Sequence, residues 1–211
     1  MKKYILFDND GVLVHTEPLY FKANLMALKE YFNISLEFDE YMKIMSEGTT
    51  VWQKAFNQGF SQNKIELARN KRNDYYQNFL RTENILIPQV KEVLEKLSKN
   101  YKMGIVTTSR RVDFEIIHKN LGIVDYMDFV LCEEDYNYAK PHPEPYLKGL
   151  ELFKAKKEET IVIEDSTRGL TAAYKAGIEC VIVKNEFTIT QDFSKASYFI
   201  DNLAQLETIL N

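Results

Sequence analysis

The chain alternates short apolar runs with longer stretches in which apolar positions recur at helical spacing. The runs are "KYILF", "KMGIVTT", "DFVLC", "TIVIE", "CVIVK" and "SYFI". Most are apolar throughout and partly β-branched rather than alternating with period two, as in strands covered on both faces. Between them, "RVDFEIIHKNLG" sets Phe114, Ile117 and Leu121 at helical spacing and is expected to stop at Gly122 as a C′ glycine. "TRGLTAAYKAG" is expected to stop the same way at Gly177, and "PQVKEVLEKLSKN" to carry Pro88 in its first turn. Strand, helix, strand in repetition predicts an α/β fold: a doubly wound, Rossmann-like parallel sheet with helices on both faces.

The alternation breaks over residues 15–83. "PLYFKANLMALKEYF", "FDEYMKIMSEG", "VWQKAFNQG" and "NKIELARNKRNDYYQNFL" all read as helices, and no apolar strand interrupts them. This predicts a small all-helical cap, residues 15–83, inserted after the first strand of a core made of residues 1–14 and 84–211.

Composition narrows the class. The 211 residues are 45% hydrophobic and 27% charged, ordinary globular usage that allows a sizeable core. A net charge of -4, with basic residues dispersed, argues against a nucleic-acid-binding surface. The apolar segment before Asp8 is too short for a signal peptide, and no run reaches the length of a membrane span. A soluble, cytoplasmic protein that needs no membrane is therefore expected. Cys132 and Cys180 lie in apolar runs and read as buried, reduced thiols. Nothing in the chain demands an oligomer, so a monomer is expected.

The chemistry gathers at strand ends. In an open parallel sheet, ligands bind beyond the carboxyl ends of the strands. "YILF" is followed by Asp8 and Asp10, and "GIV" by Thr107, Thr108 and Ser109. "DFVLC" is followed by Glu133, Glu134 and Asp135, then by Lys140 in "AKPHPEP". "IVI" is followed by Glu164, Asp165 and Ser166. Each set alone has an ordinary explanation, as a turn, a helix cap or a solvated loop. Four such sets at neighbouring strand ends converge on one cleft. Several carboxylates there require a cation, and oxygen ligands without nearby His or Cys select a hard ion such as Mg²⁺. With Lys140, that ion would attract a phosphate, to which Thr107 and the Thr108 amide at a helix N-terminus add donors. A carboxylate beside a metal-held phosphate can act as nucleophile, and a second carboxylate can move the proton. The calcium-loop reading of "DNDG…E" fails, because Leu6 would stand at the first ligand position.

This constellation resembles the haloacid dehalogenase superfamily over nearly the whole chain, in its β-phosphoglucomutase-like branch. "FDNDGVL" resembles the first motif, which implies Asp8 as nucleophile and Asp10 as acid/base. "GIVTTS" resembles the second, with Thr107 on the phosphoryl group, and "KPHPEPY" the third, with Lys140 neutralising charge. "IEDSTRGLTAAYKAG" resembles the fourth, with Asp165 as metal ligand and Glu164 assisting; the Asp10 backbone carbonyl would also reach the metal. The resemblance implies Mg²⁺ held by Asp8, Asp10, Asp165 and Glu164, and a helical cap that opens and closes over the cleft. "ELARNKRNDYY" resembles the branch's cap helix, which makes Arg72 and Asn73 candidates for substrate contact, with Tyr20 and Thr49 beside them. The presence of Asp10 disfavours carbon–halogen hydrolysis. Tyr20 stands where the mutases carry a histidine, the loop "MSEGTTVW" lacks their arginine, and His15 stands where many relatives have Asp. The expected activity is a phosphatase of small phosphorylated metabolites, with sugar phosphates favoured. A hexose-phosphate mutase and a non-catalytic metal- or anion-binding protein are the alternatives.

Overall fold

The computed structural model describes residues 1–47 and 49–210. The chain forms two compact units, Met1–His15 joined with the chain from Ile85 onward, and Thr16–Asn84.

The first unit is built on six strands: β1 (Tyr4–Phe7), β2 (Lys102–Val106), β3 (Phe129–Leu131), β4 (Thr160–Glu164), β5 (Glu179–Val183) and β6 (Tyr198–Ile200). They lie in the order β3-β2-β1-β4-β5-β6, and every neighbouring pair is parallel. Each of the six apolar runs is one of these strands. Leu6, Val106, Val162 and Ile182 pack on one face against Tyr146, Leu170, Ala172, Ala173 and Ile178. Ile5, Phe7, Met103, Ile105, Ile161, Ile163 and Val181 are also buried. Burial of successive residues is why the strands carry no alternation. The order reverses beside β1, so the carboxyl ends of β1 and β4 flank the switch point where such sheets bind ligands.

The helices of this unit are α5 (Val90–Leu97), α6 (Arg111–His118), α7 (Glu144–Phe153), α8 (Thr167–Ala176) and α9 (Leu206–Leu210). Gly177 ends α8 at φ 73°, as expected. Two expected boundaries differ. α6 ends at His118 with Lys119 in a right-handed conformation, and Gly122 belongs to a later turn. Pro88 lies outside α5, whose N-cap is Gln89 in the left-handed region.

The second unit is helical: α1 (Glu17–Phe32), α2 (Phe38–Ser46), α3 (Gln53–Asn57) and α4 (Gln62–Thr82). α1 packs along α4. Ala23, Ala27, Leu28 and Phe32 are buried from one, and Ile65, Ala68, Tyr76 and Leu80 from the other, at the spacing of a single helix face. Ser61 caps α4 by accepting from the Lys64 amide.

Candidate active site

Asp8 is the first residue beyond β1, and its amide donates to the Ile163 carbonyl at 2.8 Å, which keeps it in register with the end of β4. Glu164 ends β4 and Asp165 follows it. Gly11 turns the chain at φ 80° immediately afterwards. A Cβ on Gly11 would lie 2.0 Å from Asp165 Oδ2, so this glycine serves both the turn and the approach of the fourth motif's carboxylate.

Lys140 ties these ends together. Its side chain is buried, and Nζ donates to Asp8 Oδ1 at 2.6 Å, Glu164 Oε1 at 2.6 Å and the Val106 carbonyl at 2.8 Å. All three ammonium protons thus have acceptors within the protein. Glu164 is buried with both oxygens engaged. Oε1 also accepts from Tyr146 Oη at 2.5 Å, and Oε2 accepts from Ser166 Oγ at 3.1 Å. Burial alone would pull the Lys140 ammonium down, but the carboxylates of Asp8 and Glu164 outweigh it and hold the group above the ordinary lysine range. Asp8 is pushed up to about 8, first by burial and then by Glu164 and Asp10, with Lys140 opposing. One ammonium facing two carboxylates explains why the lysine is held charged while its partner is still raised.

Asp8, Glu164 and Asp165 each offer a carboxylate oxygen, all within 4.8 Å of one another. The donor set is oxygen-only and carries more negative charge than Lys140 offsets, which fits a hard divalent cation. Asn185, just beyond β5, fixes Asp165 by donating from Nδ2 to its Oδ2 at 2.9 Å.

Asp10 is oriented by different partners. Its Oδ2 accepts from Ser109 Oγ at 2.7 Å, Asn9 Nδ2 at 3.2 Å and Thr107 Oγ1 at 3.3 Å. Thr107 is buried at the end of β2, its carbonyl accepting from Tyr136 Oη at 2.8 Å. Lys140 thus joins Asp8 to Glu164, Asn9, Thr107 and Ser109 hold Asp10, and Asn185 holds Asp165, each beyond the carboxyl end of its strand.

Other residues sit elsewhere. Thr108 is exposed and precedes Arg110, the N-cap of α6, so its amide is not at the helix N-terminus as the sequence suggested. Of the acidic group after β3, Asp135 accepts from the Cys132 amide at 2.7 Å and pairs with Arg111, while Glu134 accepts from the Arg111 amide. These two carboxylates organise the start of α6. His15 is exposed, with its ring edge-on to Phe187. Cys132 and Cys180 are free, buried thiols, pushed up in pKa chiefly by that burial.

Within the helical unit, Arg72 is buried with its guanidinium 4.4 Å from the Tyr20 ring centroid. It donates to Asn73 Oδ1 at 3.0 Å and to Asn24 Oδ1 at 3.3 Å. Tyr20, Arg72 and Asn73 therefore form one group, whereas Thr49 is exposed and donates to the Ile44 carbonyl. Gly48, in the same loop, lies outside the described residues.

The sequence reading missed His118. Its Nε2 lies 2.7 Å from Asn9 Oδ1, and its buried Nδ1 has no hydrogen-bond partner among the described residues. Burial lowers its pKa to about 4, against a smaller opposing pull from Asp10. A histidine that stays neutral when folded takes up its proton only on unfolding. Stability from this group is therefore full above the ordinary histidine value and falls as pH drops toward 4, by about 3 kcal/mol. Urea unfolding at pH 7 and pH 4.5 should show a smaller acid loss in His118→Gln than in the unmodified protein. Equal losses would refute the assignment.

The family model for haloacid dehalogenase-like hydrolases matches residues 5–183. The chain belongs to that family, and the protein is therefore placed among its hydrolases. Pyrophosphatase PpaX from Bacillus mycoides is 26% identical over 211 residues, 98% of this chain and 96% of the relative. Two solved structures share the fold. CbbY from Rhodobacter sphaeroides, in complex with phosphate, has a TM-score of 0.82 and 21% identity, over 98% of this chain and 96% of that one. β-Phosphoglucomutase from Clostridium difficile has a TM-score of 0.79 and 24% identity, over 100% and 96%. No helix among the described residues is long and apolar enough to cross a membrane.

Proposed function

We propose that the protein is a Mg²⁺-dependent phosphatase of small phosphorylated metabolites, sugar phosphates foremost, acting as a cytoplasmic monomer through an aspartyl-phosphate on Asp8. The observation that carries this reading is the placement of Asp8 at the switch point, buried, with Oδ1 held by Lys140 and other carboxylates around it. Its Oδ2 attacks phosphorus and the bond to the leaving oxygen breaks, while Asp10 gives that oxygen its proton. Water then attacks the phosphorus of the acyl phosphate, Asp10 takes the water's proton, and Asp8 is released with inorganic phosphate. Thr107 and the Thr108 backbone are assigned to the phosphoryl oxygens. Lys140, whose three protons are already committed, acts by steadying Asp8 and Glu164 and offsetting their charge. A Mg²⁺ held by Asp8, Asp165 and the Asp10 carbonyl, with Glu164 behind, would neutralise the charge of the transferring group. Residues 15–83 are assigned as a cap that selects the substrate through Tyr20, Arg72 and Asn73.

A second reading, inorganic pyrophosphate as substrate, is favoured by Arg72. No carboxylate pairs with this buried cation among the described residues, and a second anionic group would suit it. The relationship to PpaX points the same way. Arg72 would also suit the second phosphate of a mutase, but Tyr20 stands where the mutases carry a histidine and the loop "MSEGTTVW" lacks their arginine. Phosphate release should be measured from inorganic pyrophosphate, β-glucose 1-phosphate and other phosphorylated metabolites. Conversion of β-glucose 1-phosphate to the 6-phosphate without free phosphate would overturn the phosphatase reading for sugars. Chelation by EDTA is expected to abolish turnover of p-nitrophenyl phosphate, and Mg²⁺ to restore it. Undiminished turnover in EDTA would exclude the divalent ion.

A further inference from the structure

The Asn9 side chain presents its Nδ2 to Asp10 and donates to Oδ2 at 3.2 Å. Its Oδ1 then faces α6, where it meets His118 Nε2 at 2.7 Å. That nitrogen must therefore carry the imidazole proton, which leaves Nδ1 bare, and Nδ1 is a buried atom with no hydrogen-bond partner among the described residues. Asn9 is wholly buried, and its carbonyl accepts from the amides of Leu13 and Val14, so the residue is pinned at both ends. His118 is the last residue of α6 and packs against the Phe114 ring, with centroids 4.2 Å apart.

We propose that His118 and Asn9 are positioning residues for Asp10. His118 locks the Asn9 amide in the one orientation that donates to Asp10 Oδ2, and this fixes the carboxyl group's rotation. Asn9, Ser109 and Thr107 all donate to Oδ2 and together fix its place. Without His118 the Asn9 amide can reverse, turning an oxygen toward the carboxylate and pushing it away. The unsatisfied Nδ1 is a standing local penalty, tolerated because the other ring nitrogen sets the donor chain.

The inference rests on Asp10 as the proton donor, so the test reads proton donation to the leaving group. Phenolate leaves poorly without a proton, whereas p-nitrophenolate leaves readily. The comparison is kcat/KM for phenyl phosphate against p-nitrophenyl phosphate, which reports the step in which the leaving group departs. His118→Phe, which keeps the ring and removes the donor, is expected to lower the phenyl phosphate value about tenfold and the other about twofold. Asn9→Ala should show the same split. His118→Gln, whose amide can donate from nearly the same place, should keep the unmodified ratio within about twofold. Asp10→Asn separates the two ideas. If Asp10→Asn leaves the ratio unchanged, Asp10 is not the donor and the inference falls with it. If Asp10→Asn shifts the ratio while His118→Phe and Asn9→Ala do not, the inference alone is wrong. Equal losses on both substrates in the Phe and Gln variants alike would assign His118 to packing and also overturn it.

Discussion

Asp8→Asn is expected to abolish turnover, lowering kcat for p-nitrophenyl phosphate by at least about 10⁴-fold, with the fold intact. The amide has the shape of the carboxyl group, but neither its single neutral oxygen nor its nitrogen attacks phosphorus. Loss of the charge should be tolerated. Burial, Glu164 and Asp10 already push Asp8 up to about 8 against the pull of Lys140, so the site is crowded with negative charge. The thermal midpoint should therefore move by no more than about 4 °C, the shift that about 1 kcal/mol produces in a chain of this size. Rapid quenching of the unmodified enzyme with ³²P-labelled substrate should trap a hydroxylamine-labile acyl phosphate that Asp8→Asn does not form. Wild-type rates in Asp8→Asn would refute the covalent mechanism.

Lys140→Met should have the largest effect on stability, roughly 3–5 kcal/mol, or about 10 °C in thermal midpoint, together with loss of activity. The lysine is 3% exposed and supplies the shared cation between Asp8 and Glu164. Its ammonium is held above the ordinary range. Its contribution is therefore complete at all pH values below the ordinary lysine pKa and lost only as pH rises beyond it, so a neutral-pH measurement sees the whole effect. Asp8 is raised to about 8 even in the unmodified protein, so stability there already falls as pH rises from 5 to 8; without the cation that opposes the rise, the fall should continue on to pH 9. Urea unfolding across that interval checks both points. A variant as stable as the unmodified protein would show that the buried triad does not hold these strand ends together.

The sheet was readable from the chain because burial on both faces leaves its mark on every residue of a strand. Residues of the site that follow a strand directly, such as Asp8, Thr107 and Asp165, were readable for the same reason: topology alone brings them together. The misplaced boundaries have local causes. Leu121 continues the period of Phe114 and Ile117 beyond the true end of α6, and Gly122 adopts a positive φ in a turn that is no helix end. Pro88 suits a first helical turn, but here it precedes a left-handed N-cap. The acidic cluster after β3 was misleading because its partner, Arg111, comes from a different element. Asn185 could have been found by extending the strand-end rule to β5. His118 could not: it stands 109 residues from Asn9, and a lone histidine at helical spacing carries no sign of its partner.

The central strand has a consequence for how the molecule assembles. β1 is made before the other five strands, yet Tyr4 pairs with Lys102 on one side and Thr160 on the other. It can make no sheet contact until β2 has been made, and it is not flanked on both sides until β4 has. Such distant pairing raises contact order and slows folding, whereas the α1–α4 unit forms its helices from local contacts. The carboxylates of Asp8 and Asp165 meet only when β4 has docked. Enzymatic activity is therefore a late reporter of folding, appearing after helical signals have largely developed.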